Sequence, residues 1–572
     1  MRARPATMPP LELWGGVECT VNRTRDGYRD QTILSGHQDR IGDLDLFADL
    51  GLRALRYPVL WERTLRSPAG APDWSWADGR LARLRALDIR PIVGLVHHGS
   101  GPRHTDLLDE DFAAGLGHFA GLVAARYDGV EDWTPVNEPL TTARFSALYG
   151  HWYPHERSER AFWRALLNQI DATRAAMRAI RRINPAARLI QTEDLGRTYA
   201  TAPVAAQAAH DNLRRWASWD LLCGRVDRHH PLWDLLARLD LGERVRRIAD
   251  DPCPPDLLGL NHYLTSDRFL DHRTARYPAH LHGGNGHLSF ADTEAVRVLD
   301  PAPSGLALAL RETWDRYAIP IAITEVHNGS TREEQLRWAA EAWDVAESAR
   351  VEGVEVRAVT AWSLLGSFGW NTLLTGDGAY ESGVFDLSSG APRPTALAAL
   401  WAALPRGDPR HPVASLPGWW RRPERLLYSG SAVEAGTMPA AARPLLIIGD
   451  HPACIVVAEA CARRALPHVT GDAAPPGNAA VHPWAVLTLR EAGGRIADVP
   501  HLTITSDSIP TGTASHLPCA RSVDLALDLL IDGAAGTWRF ENEGFVPTAP
   551  QASGLQAHRR AGRASSTSVP PA

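Results

Sequence analysis

The chain contains no lysine: all 60 of its Lys-plus-Arg residues are arginine. That excludes a Schiff-base lysine, a phosphate-loop lysine and a Tyr-x-x-x-Lys reductase pair. Cysteine is sparse. Cys19, Cys223, Cys253, Cys454, Cys461 and Cys519 form no Cys-x-x-Cys pair and no Cys/His ladder, so they read as reduced, mostly buried thiols. No metal site is expected. No run of 18 apolar residues occurs, so no transmembrane helix is expected. Met1–Pro10 carries two arginines but no apolar core, so no signal peptide is expected and the cytoplasm follows by elimination. A net charge of −6 implies neither a nucleic-acid nor an anionic-membrane partner. Arginine-rich stretches such as Arg178–Arg182 read as solvated helix faces.

What is present is a long chain with an ordinary globular composition. At 572 residues, 44% hydrophobic and 22% charged, it is expected to form two domains. Eight short apolar runs alternate with amphipathic stretches up to about residue 405. They are Leu11–Val17, Ala54–Leu60, Pro91–His97, Asp132–Glu138, Arg188–Thr192, Leu257–Tyr263, Pro320–Glu325 and Val359–Leu365. Most are apolar without alternation, as strands buried on both faces should be. Helical patterns separate them. Asp111–Tyr127 carries Phe112, Leu116, Phe119 and Val123 on one stripe. Thr331–Ala349 opens with Glu333 and Glu334 in its first turn, where they suit the helix dipole. Eight β-then-α units predict an α/β fold, a (β/α)8 TIM barrel with its active face at the C-terminal strand ends.

Two acidic tags end strands four and seven: Thr134-Pro135-Val136-Asn137-Glu138-Pro139 and Ile323-Thr324-Glu325-Val326-His327-Asn328-Gly329. Two glutamates facing one cleft are the minimum equipment for cutting a glycosidic bond with retention. The chemistry needs one carboxyl protonated and the other ionised. Glu138 is the candidate acid/base and Glu325 the candidate nucleophile. Arg56, at the end of strand two, is the candidate support that keeps Glu325 ionised. Asn22, His97, His98, Asn261, Tyr263 and Trp362 are expected at the same end of the barrel. With 20 tryptophans in the chain, most must be structural.

Residues 11–405 resemble glycoside hydrolase family 1 and its retaining, barrel-fold clan. Trp14-Gly15-Gly16 resembles its opening strand, and Asn22 falls where a sugar-binding glutamine usually stands. Arg56 matches its strand-two arginine and His97 the histidine of its His-Trp pair. Asn137-Glu138-Pro139 and Ile323-Thr324-Glu325 match its acid/base and nucleophile tags. Gly259-Leu260-Asn261-His262-Tyr263 resembles its strand-six motif, whose tyrosine contacts the nucleophile, and Trp362-Ser363-Leu364-Leu365 its strand-eight motif. The resemblance implies that Asn137 bonds the sugar 2-hydroxyl and that His97, Asn22 and Trp362 line the glycone pocket. His98 and Tyr263 complete the substrate-binding set. It implies a carbohydrate substrate and no cofactor. A sugar-binding or sensing protein on the same barrel, or a transglycosidase, are the competing readings. No feature specifies an oligomeric state.

Departures from the family pattern are concentrated at the sugar. Where the family has Leu-Leu-Asp-Asn-Phe-Glu-Trp, with a glutamate that grips hydroxyls at the far side, this chain has Leu364-Leu365-Gly366-Ser367-Phe368-Gly369-Trp370. The His-Trp pair is His97-His98. Ordinary glucoside or galactoside recognition is therefore not expected. Arg103, Arg144, His151, His155 and His327 are candidates for an altered, anion-friendly pocket, against the plainer reading of solvent-facing loops. Glu193 and Asp194 form a further acidic pair.

The expected domains are a barrel with its strap over 10–428, a linker over 429–443, a small truncated Rossmann-like α/β domain over 444–546 and a disordered tail over 547–572. The strap includes Trp419-Trp420. Residues 444–546 resemble sugar-nucleotide reductases of the dTDP-4-dehydrorhamnose reductase type through Leu445-Leu446-Ile447-Ile448-Gly449, Pro483-Trp484-Ala485-Val486 and Asp528–Gly533. The strand Leu445–Ile448 and helices at about Ala453–Ala465 and Arg521–Leu530 are predicted there. The phosphate-cradling glycines are replaced by Pro452 and Ile455, which blocks backbone approach to a pyrophosphate. The missing lysine removes the proton-transfer group. A structural or interaction role is expected of this domain, not reduction.

Overall fold

The computed structural model describes residues 8–24, 27–428, 443–449, 453–471, 483–489, 500–504, 520–534, 536–541 and 544–547. The chain divides into two compact units, Met1–Thr437 and Met438–Ala572. The expected linker, apart from Arg443, and the expected tail, apart from Pro547, lie outside the described residues, as do Cys519 and Pro452.

The first unit is a closed eight-stranded barrel of β1 (Glu12–Gly16), β2 (Ala54–Pro58), β3 (Arg90–His97), β4 (Asp132–Asn137), β5 (Arg188–Asp194), β6 (Leu257–Asn261), β7 (Ile321–Val326) and β8 (Val356–Ala361). Each strand pairs in parallel with its chain neighbours, and β1 closes on β8. All eight expected strands are found. The largest shift is in β8, which ends at Ala361, so Trp362 follows the strand and is not part of it. Similarly β6 ends at Asn261, leaving Tyr263 on the loop. Strands β2, β4 and β7 are buried throughout, which is why their sequences carry no polar alternation.

Inside the barrel, Trp14, Ala54, Ile92, Ile190, Ala322 and Ala358 form one packed layer. A single indole is matched by three alanines, the large-against-small filling a closed barrel requires. Outside it, α1 (Phe112–Arg126) buries Phe112, Leu116, Phe119 and Val123 as its stripe predicts. It packs on α2 (Glu159–Ile183), where a Cβ on Gly117 would lie 3.0 Å from the Cβ of Ala175. The glycine therefore permits a close helix crossing. Helix α3 (Arg332–Val351) opens with Glu333 and Glu334. Beyond the dipole role, Glu334 accepts from Arg337 (2.7 Å), Arg422 (2.8 Å) and the Trp419 N–H (3.0 Å), tying the strap to the barrel.

One element does not show in the eight-run pattern. Thr198–Ala200, Arg268–Asp271, His282–Gly284 and Ser289–Glu294 assemble a four-stranded sheet from the loops after β5 and β6. These strands are three to six residues long, too short to carry a period.

The second unit holds β9 (Leu445–Ile448), β10 (His468–Gly471), β11 (Ala485–Leu489), β12 (His501–Ile504), β13 (Gly536–Glu541) and β14 (Gly544–Pro547). They form one sheet in the order β10-β9-β11-β12-β13-β14, and only the last pairing is antiparallel. Among the described residues its helices are α4 (Ala453–Arg463) and α5 (Ala520–Ile531).

Candidate active site

At the C-terminal end of the barrel strands lies a cavity of about 640 Å³ lined by Glu18, His98, Glu138, Arg144, Asp194, Tyr263, Glu325, Trp362, Trp370 and others. Its floor is built by neighbouring strands in register. His97 lies opposite Asn137, and Asn261 opposite Glu325. Strand β7 has an irregular register at this point: Ile323 faces Leu260 and Glu325 faces Asn261, so Thr324 is an extra residue. Such bulges re-aim side chains and gather beside active sites.

The two tagged glutamates are both buried, Glu138 at 4% and Glu325 at 3% exposure, but their partners differ. Glu325 Oε1 accepts from Arg56 Nη1 at 2.8 Å, and its Oε2 accepts from the Tyr263 hydroxyl. Arg56 also donates to the Thr324 carbonyl (2.9 Å) and to Asn137 Oδ1 (2.6 Å), and its guanidinium lies 4.7 Å from the centre of the Trp362 ring. Glu138 has no cation of this kind. Its Oε1 accepts from Asn261 Nδ2 at 2.5 Å, and its Oε2 lies 3.7 Å from His98 Nε2. Thr324 Oγ1 donates to Asn261 Oδ1 (2.6 Å), so one amide links the two acidic tags.

This asymmetry separates the carboxyls electrically. Burial pushes Glu138 well above the usual carboxylate range, and the charges of Glu325, Asp194 and Glu193 push it further. Burial raises Glu325 as well, but there the Arg56 charge and the hydrogen bonds from Tyr263 and Arg56 oppose it. The proton shared by such a pair therefore resides on Glu138. Burial holds the Tyr263 phenol far above its ordinary value, so it stays a donor to Glu325. Burial, then the charge of Arg56, pushes His98 down to about 3, and burial, His98 and Arg56 hold His97 well below its ordinary value. Both imidazoles are neutral at neutral pH and offset neither carboxyl's charge.

Backbone geometry marks the same place. Glu138 and His98 both sit in the left-handed region, at φ 45° and 50°, which side chains other than glycine rarely adopt. Glu193 explains how the turn after Glu138 is held. It accepts from the Leu140 N–H (3.0 Å), the Thr141 N–H (3.3 Å) and Ser218 Oγ (2.6 Å), capping the helix Pro139–Ala143 from β5. Burial, against those bonds, raises Glu193 to about 7.

The structure brings Glu138, Glu325, His98, Tyr263 and Trp362 to the cavity wall. It places Arg56, His97 and Asn137 one layer below, around a much smaller void shared with Trp362. His97 stacks on Trp362 at 5.7 Å, and a Cβ on Gly16 would lie 2.4 Å from that indole, so glycine on β1 makes room for the ring. Asn137 donates toward His97 (3.4 Å) and His98 (3.3 Å), and its Oδ1 accepts from Thr192 as well as Arg56. Asn22 does not line the main cavity. Its amide donates to the His98 carbonyl at 3.2 Å, on a short side chain within the hairpin Val21–Thr24 and Gly27–Asp30.

The anion-friendly pocket is not built. Of the five candidates only Arg144 and His327 line the cavity, and His327 is paired with Glu381 at 2.9 Å. Arg103 lies over Tyr28, His151 packs on Phe145 and Tyr149, and His155 bonds the Gly150 carbonyl. The wall is acidic instead, with six carboxylates, Glu18, Glu138, Asp194, Glu294, Glu325 and Glu381, against Arg144 and Arg297. Glu18, Asp194 and Trp419 escape a motif reading. Glu18 follows β1 and Asp194 ends β5, where position alone is a signal. Trp419 arrives from the distant strap, under the Arg297 guanidinium at 3.7 Å.

Fold and cavity together define a glycoside hydrolase on a (β/α)8 barrel. The sequence profile of Glycosyl hydrolase family 1 matches residues 18–376, more than half of the chain, and the chain belongs to that family. Beta-glucosidase 4 of Oryza sativa subsp. japonica is 22% identical over 412 residues, which are 63% of this chain and 82% of that one. The bifunctional beta-D-glucosidase/beta-D-fucosidase of Bifidobacterium breve is 34% identical over 116 residues, 18% of this chain and only 25% of that relative. The beta-glucosidase from Thermotoga maritima, solved in complex with deoxynojirimycin, superimposes with a TM-score of 0.56 at 16% identity, covering 69% of this chain and 98% of that one. At that identity the likeness is one of fold. The family and these relatives make the chain a β-glycosidase.

Proposed function

We propose that the protein is a retaining β-glycosidase in which Glu325 is the nucleophile and Glu138 the acid/base. The observation that carries this is the unequal support of the two carboxyls: a guanidinium and a phenol hydroxyl on Glu325, a single amide on Glu138. Glu325 attacks the anomeric carbon as the glycosidic C–O bond breaks, and Glu138 gives its proton to the departing oxygen. Glu138, now ionised, takes a proton from water, whose oxygen displaces Glu325 from the anomeric carbon. Both groups end as they began.

The glycone differs from glucose or galactose in its far-side contacts. The loop after β8 carries Gly366 and Gly369 where the family has carboxylates. Gly366 sits at φ 76°, and a Cβ there would come within 2.1 Å of the Glu381 carbonyl, so no side chain fits without moving backbone. For the second unit we infer a truncated relative of sugar-nucleotide reductases with no redox role. Cys454 Sγ bonds the Gly449 carbonyl at 3.4 Å, and Ile455 stands in the first turn of α4. These side chains stand where a pyrophosphate cradle needs bare backbone, so a dinucleotide does not fit.

The test is a panel of 2-deoxy-2-fluoro β-glycosides followed by peptide mass mapping. A glycosyl label on Glu325 is the expected result. Absence of label from every sugar, with binding unaltered in Glu325→Gln, would favour a sugar-binding protein.

A further inference from the structure

Glu18 has no role in the chemistry just described, yet it is the most unusual group in the cavity. It lies on the loop after β1, is 3% exposed, and lines the same wall as Glu138 and Glu325. Three contacts hold it. Its backbone N–H donates to Ser363 Oγ (3.1 Å), its Oε1 accepts from the Thr20 N–H (2.9 Å), and its Oε2 accepts from Trp370 Nε1 (2.9 Å). The side chain is therefore fixed, with its partners drawn from the β1 loop and the β8 loop.

Those partners do not satisfy it. An ionised carboxylate offers about four acceptor sites, and the structure fills one on each oxygen. Among the described residues no cation stands within ion-pair distance of Glu18. Its charge instead presses on its surroundings, adding to the upward shifts of Glu325 and Tyr263. A buried carboxylate with open acceptor sites and no counter-ion is a costly arrangement unless donors meet it. In the β8 loop Gly366 has no room for a side chain and Gly369 sits at φ 77°, and the carboxylate that this loop does bring to the wall, Glu381, is paired with His327 at 2.9 Å.

We propose that Glu18 is a glycone-binding residue that accepts hydrogen bonds from two adjacent hydroxyls of a neutral sugar, one on each carboxylate oxygen. This rests on the glycosidase reading of the same cavity. It assigns the specificity contact to the β1 side of the barrel, opposite in chain order to β8. It also names a substrate class. The glycone carries a vicinal diol at the Glu18 end and no acidic group there, since a uronate would face Glu18 across an already acidic wall.

The assay compares the wild-type chain with Glu18→Gln and Glu18→Asp on the best aryl β-glycoside and its monodeoxy, monoamino and uronate analogues. Glu18→Gln is expected to lower kcat/KM on the parent sugar about 10²- to 10³-fold, because a site built to bond a hydroxyl discriminates strongly. Removing either of two adjacent hydroxyls is expected to cost the wild type a similar factor but to cost Glu18→Gln only a few-fold more, since the contact is already gone. Glu18→Asp, which keeps the charge, is expected to recover part of the discrimination. Uronates are expected to be the poorest substrates of the wild type. A uniform loss across all deoxy sugars would assign Glu18 to holding Trp370, and overturn the proposal. So would an amino group preferred over a hydroxyl at the sensitive position. Turnover and Glu325 labelling without any coupling to Glu18 would sink this inference alone. Failure of every glycoside to react or label would sink the glycosidase reading, and this one with it.

Discussion

Replacing Arg56 by glutamine tests the division of labour between the two carboxyls. Arg56 is the only guanidinium bonded to Glu325 among the described residues, at 2.8 Å, and both groups are buried. Breaking a buried pair by removing one partner costs about 3–5 kcal/mol. With burial then opposed only by the Tyr263 hydrogen bond, the Glu325 carboxyl should rise. The sign follows from the mechanism. The nucleophile works only when ionised, so the acid limb of the activity profile moves to higher pH, while the limb set by the protonated form of Glu138 does not move with it. The bell narrows from its acid side. The assay is kcat/KM against pH with an aryl glycoside whose leaving group needs no protonation, which isolates the Glu325 limb. Activity at pH 6 should fall by about 10²-fold or more and recover partly toward pH 8. Arg56→Lys, which restores the charge but not the two-pronged contact to Glu325 and Asn137, should fall between. A constant loss at every pH, with the acid limb unmoved, would refute the claim that Arg56 acts through the ionisation of Glu325.

Glu138→Gln should lower kcat/KM about 10²- to 10⁴-fold on alkyl glycosides, whose leaving oxygen needs a proton, and far less on dinitrophenyl glycosides. Added azide should restore turnover and yield a glycosyl azide; equal losses on both substrates would assign Glu138 elsewhere. Gly16→Ala puts a Cβ within 2.4 Å of the Trp362 ring. Thermal unfolding should report a loss of about 1–3 kcal/mol, accompanied by a raised KM. Glu193→Ala strands the Leu140 and Thr141 N–H groups and the Ser218 hydroxyl, each worth about 1–3 kcal/mol when buried without a partner. Urea unfolding should show the loss, and Glu193→Gln should show less of it. Because burial raises the Glu193 carboxyl to about 7, its contribution to wild-type stability is present below the ordinary glutamate range and is lost as pH rises through about 7. Glu193→Gln should flatten that dependence; an unchanged slope between pH 5 and pH 8 would contradict it.

The barrel was legible because a strand buried on both faces leaves a continuous apolar run. Ala54–Leu60 and Pro91–His97 were placed to within two residues at each end. The β8 run is offset by three residues at its start and four at its end because Trp362-Ser363-Leu364-Leu365 is as apolar as the strand before it, and burial does not distinguish a strand from a buried loop. The accessory sheet stayed invisible because its strands are brief, three to six residues, and one of them, His282–Gly284, has no buried residue. At the site, Glu138, Glu325 and Arg56 were readable since each chemistry-bearing side chain stands at a strand end in a recognisable tag. Glu18 was not. The opening-strand pattern directs attention to Asn22, whose amide is committed to the His98 carbonyl, while the carboxylate four residues earlier reaches the cavity.

By itself, the sequence determined the barrel, the pair of glutamates and the arginine of strand two. Periodicity and strand-end position are local properties, written in consecutive residues. Only the tertiary structure decided which carboxyl keeps the proton. That depends on burial and on Arg56 from β2 and Asn261 and Tyr263 from the end of β6, which lie far from Arg56 in the chain. It also decided that Gly366 of the β8 loop leaves no space for a side chain, and that a glutamate from the loop after β1 lines the cavity. Those are facts about distances between atoms far apart in the chain, and no run of neighbouring residues contains them.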